Sequence, residues 1–101
     1  MHLFATVKPP ILPYKELEKA VIHAGQMYFR GKQHLIDGND VILGTIYEID
    51  TRLLPKLDKH YQYNSGDKEG SFFIRKIHEL TTTTGEKKTA WVYFANQNLQ
   101  L

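Results

Sequence analysis

A chain of 101 residues has room for one domain with one modest core. Hydrophobic residues at 42% and aromatics at 12% are globular proportions, and no apolar run approaches the roughly 20 residues that cross a bilayer. The absence of cysteine excludes disulfides, thiolate chemistry and cysteine-ligated metals, and the net charge of +2 is spread as mixed signs, so no basic stripe marks a nucleic-acid surface.

The elements follow in chain order. Residues 2–8, HLFATVK, predict a first strand stopped by Pro9 and Pro10, because consecutive prolines cannot donate to a ladder. No charged segment followed by a long apolar one opens the chain, so no secretion signal is expected. Residues 14–24 read as a helix. Tyr14, Leu17, Val21 and Ala24 form one stripe, Lys15, Glu16, Glu18, Lys19 and His23 face water, and Gly25 supplies the stop. Residues 26–36 alternate imperfectly, as a strand broken at Gly31, and DGND at 37–40 reads as a hairpin turn.

The stretch Val41–Tyr61 organises the rest. Val41, Leu43, Thr45, Tyr47 and Ile49 alternate with Ile42, Gly44, Ile46 and Glu48, a pattern apolar on both sides and hence a central strand. Gly44 marks a bulge or a close backbone approach. The period then changes: Leu53, Leu54 and Leu57 have helical spacing, Asp50 or Thr51 caps the start, and Pro55 is tolerated in the first turn. Residues 60–70 read as a long mobile loop, 71–80 as a strand, TTTTGE as a turn and 89–95 as a closing strand. In that last strand Trp91 and Tyr93 share one face, opposite Ala90, Val92 and Phe94. The fold class expected over 1–101 is a single α+β domain, with five or six strands in a curved, mostly antiparallel sheet and two helices.

Three segments, in this order, resemble the gamma-glutamylcyclotransferase-like superfamily of AIG2-like and butirosin-maturation-type proteins. LFATVKPP (3–10) is similar to the family's V-Y-G-T-L-K-P-G opening. GTIYEIDTRLLPKLDKHY (44–61) is similar to G-x-L-Y-x-[LI]-x-x-x-x-L-x-x-L-D-x-x-E. FFIRKIHEL (72–80), followed by TGEKKTAWVYF (84–94), is similar to the Y-x-R-x-x-[IV]-x-V … A-W-V-Y ending. The resemblance implies a barrel-like sheet with a cavity beside the first turn. It also implies cyclisation of a γ-glutamyl group, in which the α-amine attacks the γ-carbonyl and releases 5-oxoproline and a free amine. That chemistry needs N–H groups for the carboxylate and oxyanion, a carboxylate to carry the amine proton to the leaving amine, and walls that exclude water.

Carried over residue by residue, Phe4 stands at the family's tyrosine and Ala5 at its glycine, while Thr6, Val7, Lys8, Pro9 and Asp58 match. The family's acid/base glutamate falls on Tyr61, and a phenol with a pKa near 10 is a poor base at neutral pH. Two functions follow: an enzyme of this reaction using another acid, or a pocket that binds a small polar or anionic ligand without the chemistry. The candidate catalytic residues are Glu69 and Tyr61; the candidate substrate-binding residues are Phe4, Ala5, Thr6, Val7, Lys8 and Arg75. His60 is the histidine to test as a base, since an unperturbed imidazole titrates near pH 6.5. The five histidines show no H-x-H or H-E-x-x-H spacing, so no metal or cofactor is expected. The expected partner is a small γ-glutamyl-type or other anionic molecule, not nucleic acid or membrane, in a cytoplasmic protein. A homodimer that completes the pocket rim is compatible with so short a chain.

Overall fold

The computed structural model describes residues 2–8, 10, 12–29 and 31–97. Five strands follow the chain: β1 (His2–Thr6), β2 (Lys15–Phe29), β3 (Lys32–Ile49), β4 (Phe73–Thr82) and β5 (Lys87–Ala95). Between β3 and β4 a 3-10 turn (Thr51–Leu53) runs into the short helix α1 (Leu54–His60). The strands close into a barrel in the order β1-β3-β2-β4-β5. All neighbours are antiparallel except β1 and β5, which meet in parallel at Phe4 and Trp91. Closure gives the outer strands β1 and β5 a partner in each other, through Phe4 and Trp91. The expected mostly antiparallel, mixed, barrel-like α+β sheet is thus the fold.

Alternation along each strand sorts the side chains into two cores. Inside the barrel lie Ala5, Ala20, Ile22, Ala24, Ile42, Ile46, Leu80, Ala90, Val92 and Phe94. Alanine recurs there because five strands enclose less space than the eight whose lumen side chains just fill. At Gly44 even a methyl is too much. A Cβ there would stand 2.6 Å from Ile22 Cδ1 and 3.1 Å from the Thr6 carbonyl oxygen. Outside the barrel, Phe4, Tyr47, Ile49, Tyr63 and Tyr93 pack under Leu54 and Leu57 of α1. Burying a side chain of this size is worth roughly 1.5–3 kcal/mol, so α1 is held by this contact more than by its own seven residues.

The helix expected over 14–24 is instead strand from Lys15 onward, the first part of β2. Ala20, Ile22 and Ala24 point inward at 0% exposure, while His23 faces out. Pairing with β3 along its length, from Lys15 opposite Glu48 to Phe29 opposite Lys32 with two register shifts, overrides the local helical stripe. The described residues therefore hold one α-helix, not two. The hairpin turn also moves: Gly31 takes it, with φ +76°, and DGND lies within β3. There the register jumps from Ala24 opposite Asp40 to Gly25 opposite Ile36, so residues 37–39 loop out as a bulge. Gly38 crosses Gly25 so closely that a Cβ on Gly38 would sit 2.6 Å from the Gly25 nitrogen. The bulge bends the β2–β3 ribbon, and Lys76 of β4 holds it through an ion pair to Asp37 at 3.2 Å. The strand β3 is central, as its pattern implies, although Val41 and Leu43 are exposed and both faces are covered only from Thr45 onward.

The loop expected to be mobile is extensively hydrogen-bonded. The Ser71 hydroxyl accepts from the Asn64 N–H at 2.9 Å and donates to the Asp67 carbonyl at 2.8 Å. Asn96 Nδ2 donates to the Ser71 carbonyl at 2.9 Å, tying the loop to the end of β5.

Candidate ligand-binding site

A cavity of about 420 Å³ opens where the end of β1, the end of α1 and the bent tip of the β2–β3 ribbon converge. That volume lies within the usual range for small-molecule sites. One wall is Phe4, Ala5, Thr6, Val7 and Lys8, five consecutive residues leaving β1. The floor is aromatic: Phe4, Tyr61, Phe73 and Tyr93. The Tyr61 ring stacks on Tyr93, with centroids 4.1 Å apart and planes 11° from parallel, and Phe4 meets Tyr93 edge-on at 5.6 Å. Phe73 meets Tyr61 edge-on at 5.5 Å, and His34 meets Phe73 at 5.0 Å.

Tyr61 owes its position to the way α1 ends. Gln62 adopts the left-handed conformation at φ 53°, its N–H bonds the Lys59 carbonyl, and the Tyr63 N–H bonds the Asp58 carbonyl at 2.9 Å. That pair of bonds is the Schellman arrangement, and it turns the chain so that Tyr61 faces β1 while Tyr63 enters the outer core. The Thr6 side chain lines the wall that Tyr61 faces and favours the charged form of its phenol. Burial raises the Tyr61 pKa above the ordinary phenol value, an effect the nearby Thr6 side chain only partly offsets. At neutral pH Tyr61 is therefore protonated, a hydrogen-bonding group and not a base.

The remaining wall comes from the ribbon tip, which the sequence reading missed: Gln26, Lys32, Gln33, His34 and Leu35. Exposed Lys8 and Lys32 put positive charge at the mouth from two different elements. His60 lines the same mouth beside Tyr61, with ring centroids 5.1 Å apart. Among the described lining residues there is no aspartate or glutamate. No group of three or more histidine or acidic residues among the described residues could hold a metal ion.

Six of the eight candidate residues therefore line one cavity: Phe4, Ala5, Thr6, Val7, Lys8 and Tyr61. Two lie elsewhere. Glu69 is exposed on the pinned loop, where its carbonyl accepts from Asn96 Nδ2 at 3.3 Å, and it does not line the cavity. Arg75 shares the Phe73 face of β4, but two residues further along it is engaged in the outer core. Its guanidinium lies 4.3 Å from the Trp91 ring centroid, and Nε is 3.4 Å from Asp58 Oδ1. That is an ion-pair separation without hydrogen-bond geometry, and Arg75 Nε and Nη1 have no hydrogen-bond partner among the described residues. Asp58 also accepts from the Tyr93 hydroxyl at 2.5 Å. Tyr93 thus faces the cavity with its ring and anchors the Asp58–Arg75 pair with its hydroxyl.

A family model described as gamma-glutamyl cyclotransferase, AIG2-like, matches residues 5–101. A solved structure described as a gamma-glutamyl cyclotransferase superposes with a TM-score of 0.61 at 15% identity, covering 82% of this chain and 54% of that one. The shared feature is the fold, and this chain spans about half the length of that protein. Among curated proteins, none matches this chain.

Proposed function

The chain belongs to the gamma-glutamyl cyclotransferase, AIG2-like family, and from that premise we propose that it uses the cavity to hold a small anionic ligand without the carboxylate-driven cyclisation. The observation that carries this reading is the state of Tyr61. It occupies the position the resemblance assigns to the acid/base, yet it is a phenol whose neutral form burial favours, in a lining with no carboxylate among the described residues. The sign of the ligand follows from the mouth, where Lys8 and Lys32 stand without a carboxylate among the described lining residues. Backbone N–H groups of the turn after β1 are the natural donors to a carboxylate placed between those lysines.

A second reading rests on His60. Its imidazole lines the cavity beside Tyr61, placed to take a proton from an attacking amine and return it to the leaving one. Incubation with γ-glutamyl-amino acids separates the two. The binding reading expects the compounds to remain intact. Formation of 5-oxoproline that disappears in His60→Gln would establish the second reading in its place.

A further inference from the structure

The cavity has two chemically distinct zones, and together they restrict the ligand further than its charge. Its floor is built of rings that are not all spent on one another. Phe4 is buried at 1% exposure, but Tyr61, Phe73 and His34 are half-buried and border the open volume. Their mutual contacts are edge-on: 62° between Phe4 and Tyr61, 67° between Tyr61 and Phe73, and 72° between His34 and Phe73. Rings held edge-on to one another present faces and edges at right angles, the geometry into which another aromatic ring fits. Above this floor stand the two lysines of the mouth, Lys8 from the turn after β1 and Lys32 from the ribbon tip.

We propose that the ligand is a small aromatic carboxylate, its ring among Tyr61, Phe73 and His34 and its carboxylate between Lys8 and Lys32. This rests on the reading that the cavity binds an anion, and adds the aromatic body as a requirement. A purely aliphatic acid leaves the ring floor wet, whereas a neutral aromatic leaves the lysines without a partner. Both zones together select for a molecule carrying both features. A cavity of 420 Å³ accommodates one ring with a short acidic arm and leaves space for a further substituent.

The test uses three probes on the intact chain, followed by amide and aromatic chemical shifts: phenylacetate, acetate and phenylacetamide. Phenylacetate is expected to bind at least about tenfold tighter than either of the others, with shifts at Thr6, Tyr61, Phe73 and His34. Lys32→Ala, an exposed substitution on the ribbon tip, is expected to weaken phenylacetate several-fold and leave phenylacetamide unchanged. Equal binding of acetate and phenylacetate overturns the aromatic requirement and leaves anion binding standing. Equal binding of phenylacetamide and phenylacetate, or indifference to Lys32→Ala, overturns the placement of the carboxylate. No shift at the cavity with any anion overturns both this inference and the function it rests on.

Discussion

The Tyr61 ring lies flat on the Tyr93 ring, 4.1 Å away, and through this contact the cavity floor is joined to the buried ion pair behind it. Tyr61 faces the β1 wall of the cavity, and Tyr93 carries its hydroxyl to Asp58. The two rings therefore separate a ligand-facing side from a structural side. The consequences of that division can be measured.

On the ligand-facing side, Tyr61→Phe keeps the stack and removes only a hydroxyl at the cavity wall. It is expected to change denaturant unfolding by less than about 1 kcal/mol. Tyr61→Glu instead restores a carboxylate at the position the family uses. It is expected to release 5-oxoproline from γ-glutamylphenylalanine above the level of the unsubstituted chain, measured by chromatography. Tyr61→Gln, similar in size but uncharged, is expected to remain silent.

On the structural side, Asp58→Ala strands the Arg75 charge and the Tyr93 hydroxyl together. Arg75 and Asp58 side chains are only 14% and 19% exposed, so the loss is that of a largely buried pair, about 3 kcal/mol. Asp58→Asn keeps an acceptor for Tyr93 and is expected to lose less. Urea unfolding of both variants checks the order.

The barrel interior makes its own prediction at Gly44. Gly44→Ala drives a methyl into Ile22 Cδ1 and toward the Thr6 carbonyl, and is expected to cost about 1–3 kcal/mol. Ile22→Val removes the clashing atom. The double substitution should therefore be more stable than the sum of the two singles predicts, a coupling visible in a double-mutant cycle.

Alkaline pH addresses the two stacked tyrosines. Burial raises both pKa values in the folded chain, and for Tyr93 the Asp58 carboxylate adds to the shift. A group whose folded pKa exceeds its unfolded value of about 10 contributes its full stability below pH 10 and loses it as pH rises through the folded pKa. The chain is therefore expected to lose stability above pH 10. Absorbance at 295 nm should show Tyr61 and Tyr93 ionising only together with unfolding.

The helix end offers a stabilising change. Gln62 sits at φ 53°, which costs a residue with a Cβ about 1 kcal/mol and glycine almost nothing. Gln62→Gly is expected to raise the unfolding midpoint, as followed by circular dichroism, without moving Tyr61.

Much of this architecture is legible in the sequence, and the exceptions share one cause. The alternation of Trp91 and Tyr93 against Ala90, Val92 and Phe94, the cap at Asp50 and the buried Leu54 and Leu57 are local signals, and each is found as read. In 14–24, charged residues and alanine suit a helix as well as a strand, and the deciding fact is pairing with β3 some 25 residues away. DGND has sound turn chemistry, but Gly31 closes the hairpin and the three central residues leave the ladder as a bulge. The ribbon wall of the cavity depends on that bulge, so Lys32 and His34 could not be assigned to the site from local pattern. The facing glycines, Gly25 and Gly38, are the one sequence hint of it. Chain proximity to Tyr61 and strand alternation point Glu69 and Arg75 toward the site, and neither signal reports that the loop is pinned or that Asp58 already engages the guanidinium.

The cavity lined by Thr6, Lys8, Lys32 and Tyr61 is expected to seat an anion and leave it chemically unchanged. A single amide-correlation titration with γ-glutamylphenylalanine tests both halves in one sample. Shifts confined to residues 4–8, 32–35, 60–61 and 73 are expected, with the dipeptide's own signals intact after prolonged incubation. Signals of 5-oxoproline and free phenylalanine, or shifts clustered away from those residues, would contradict it.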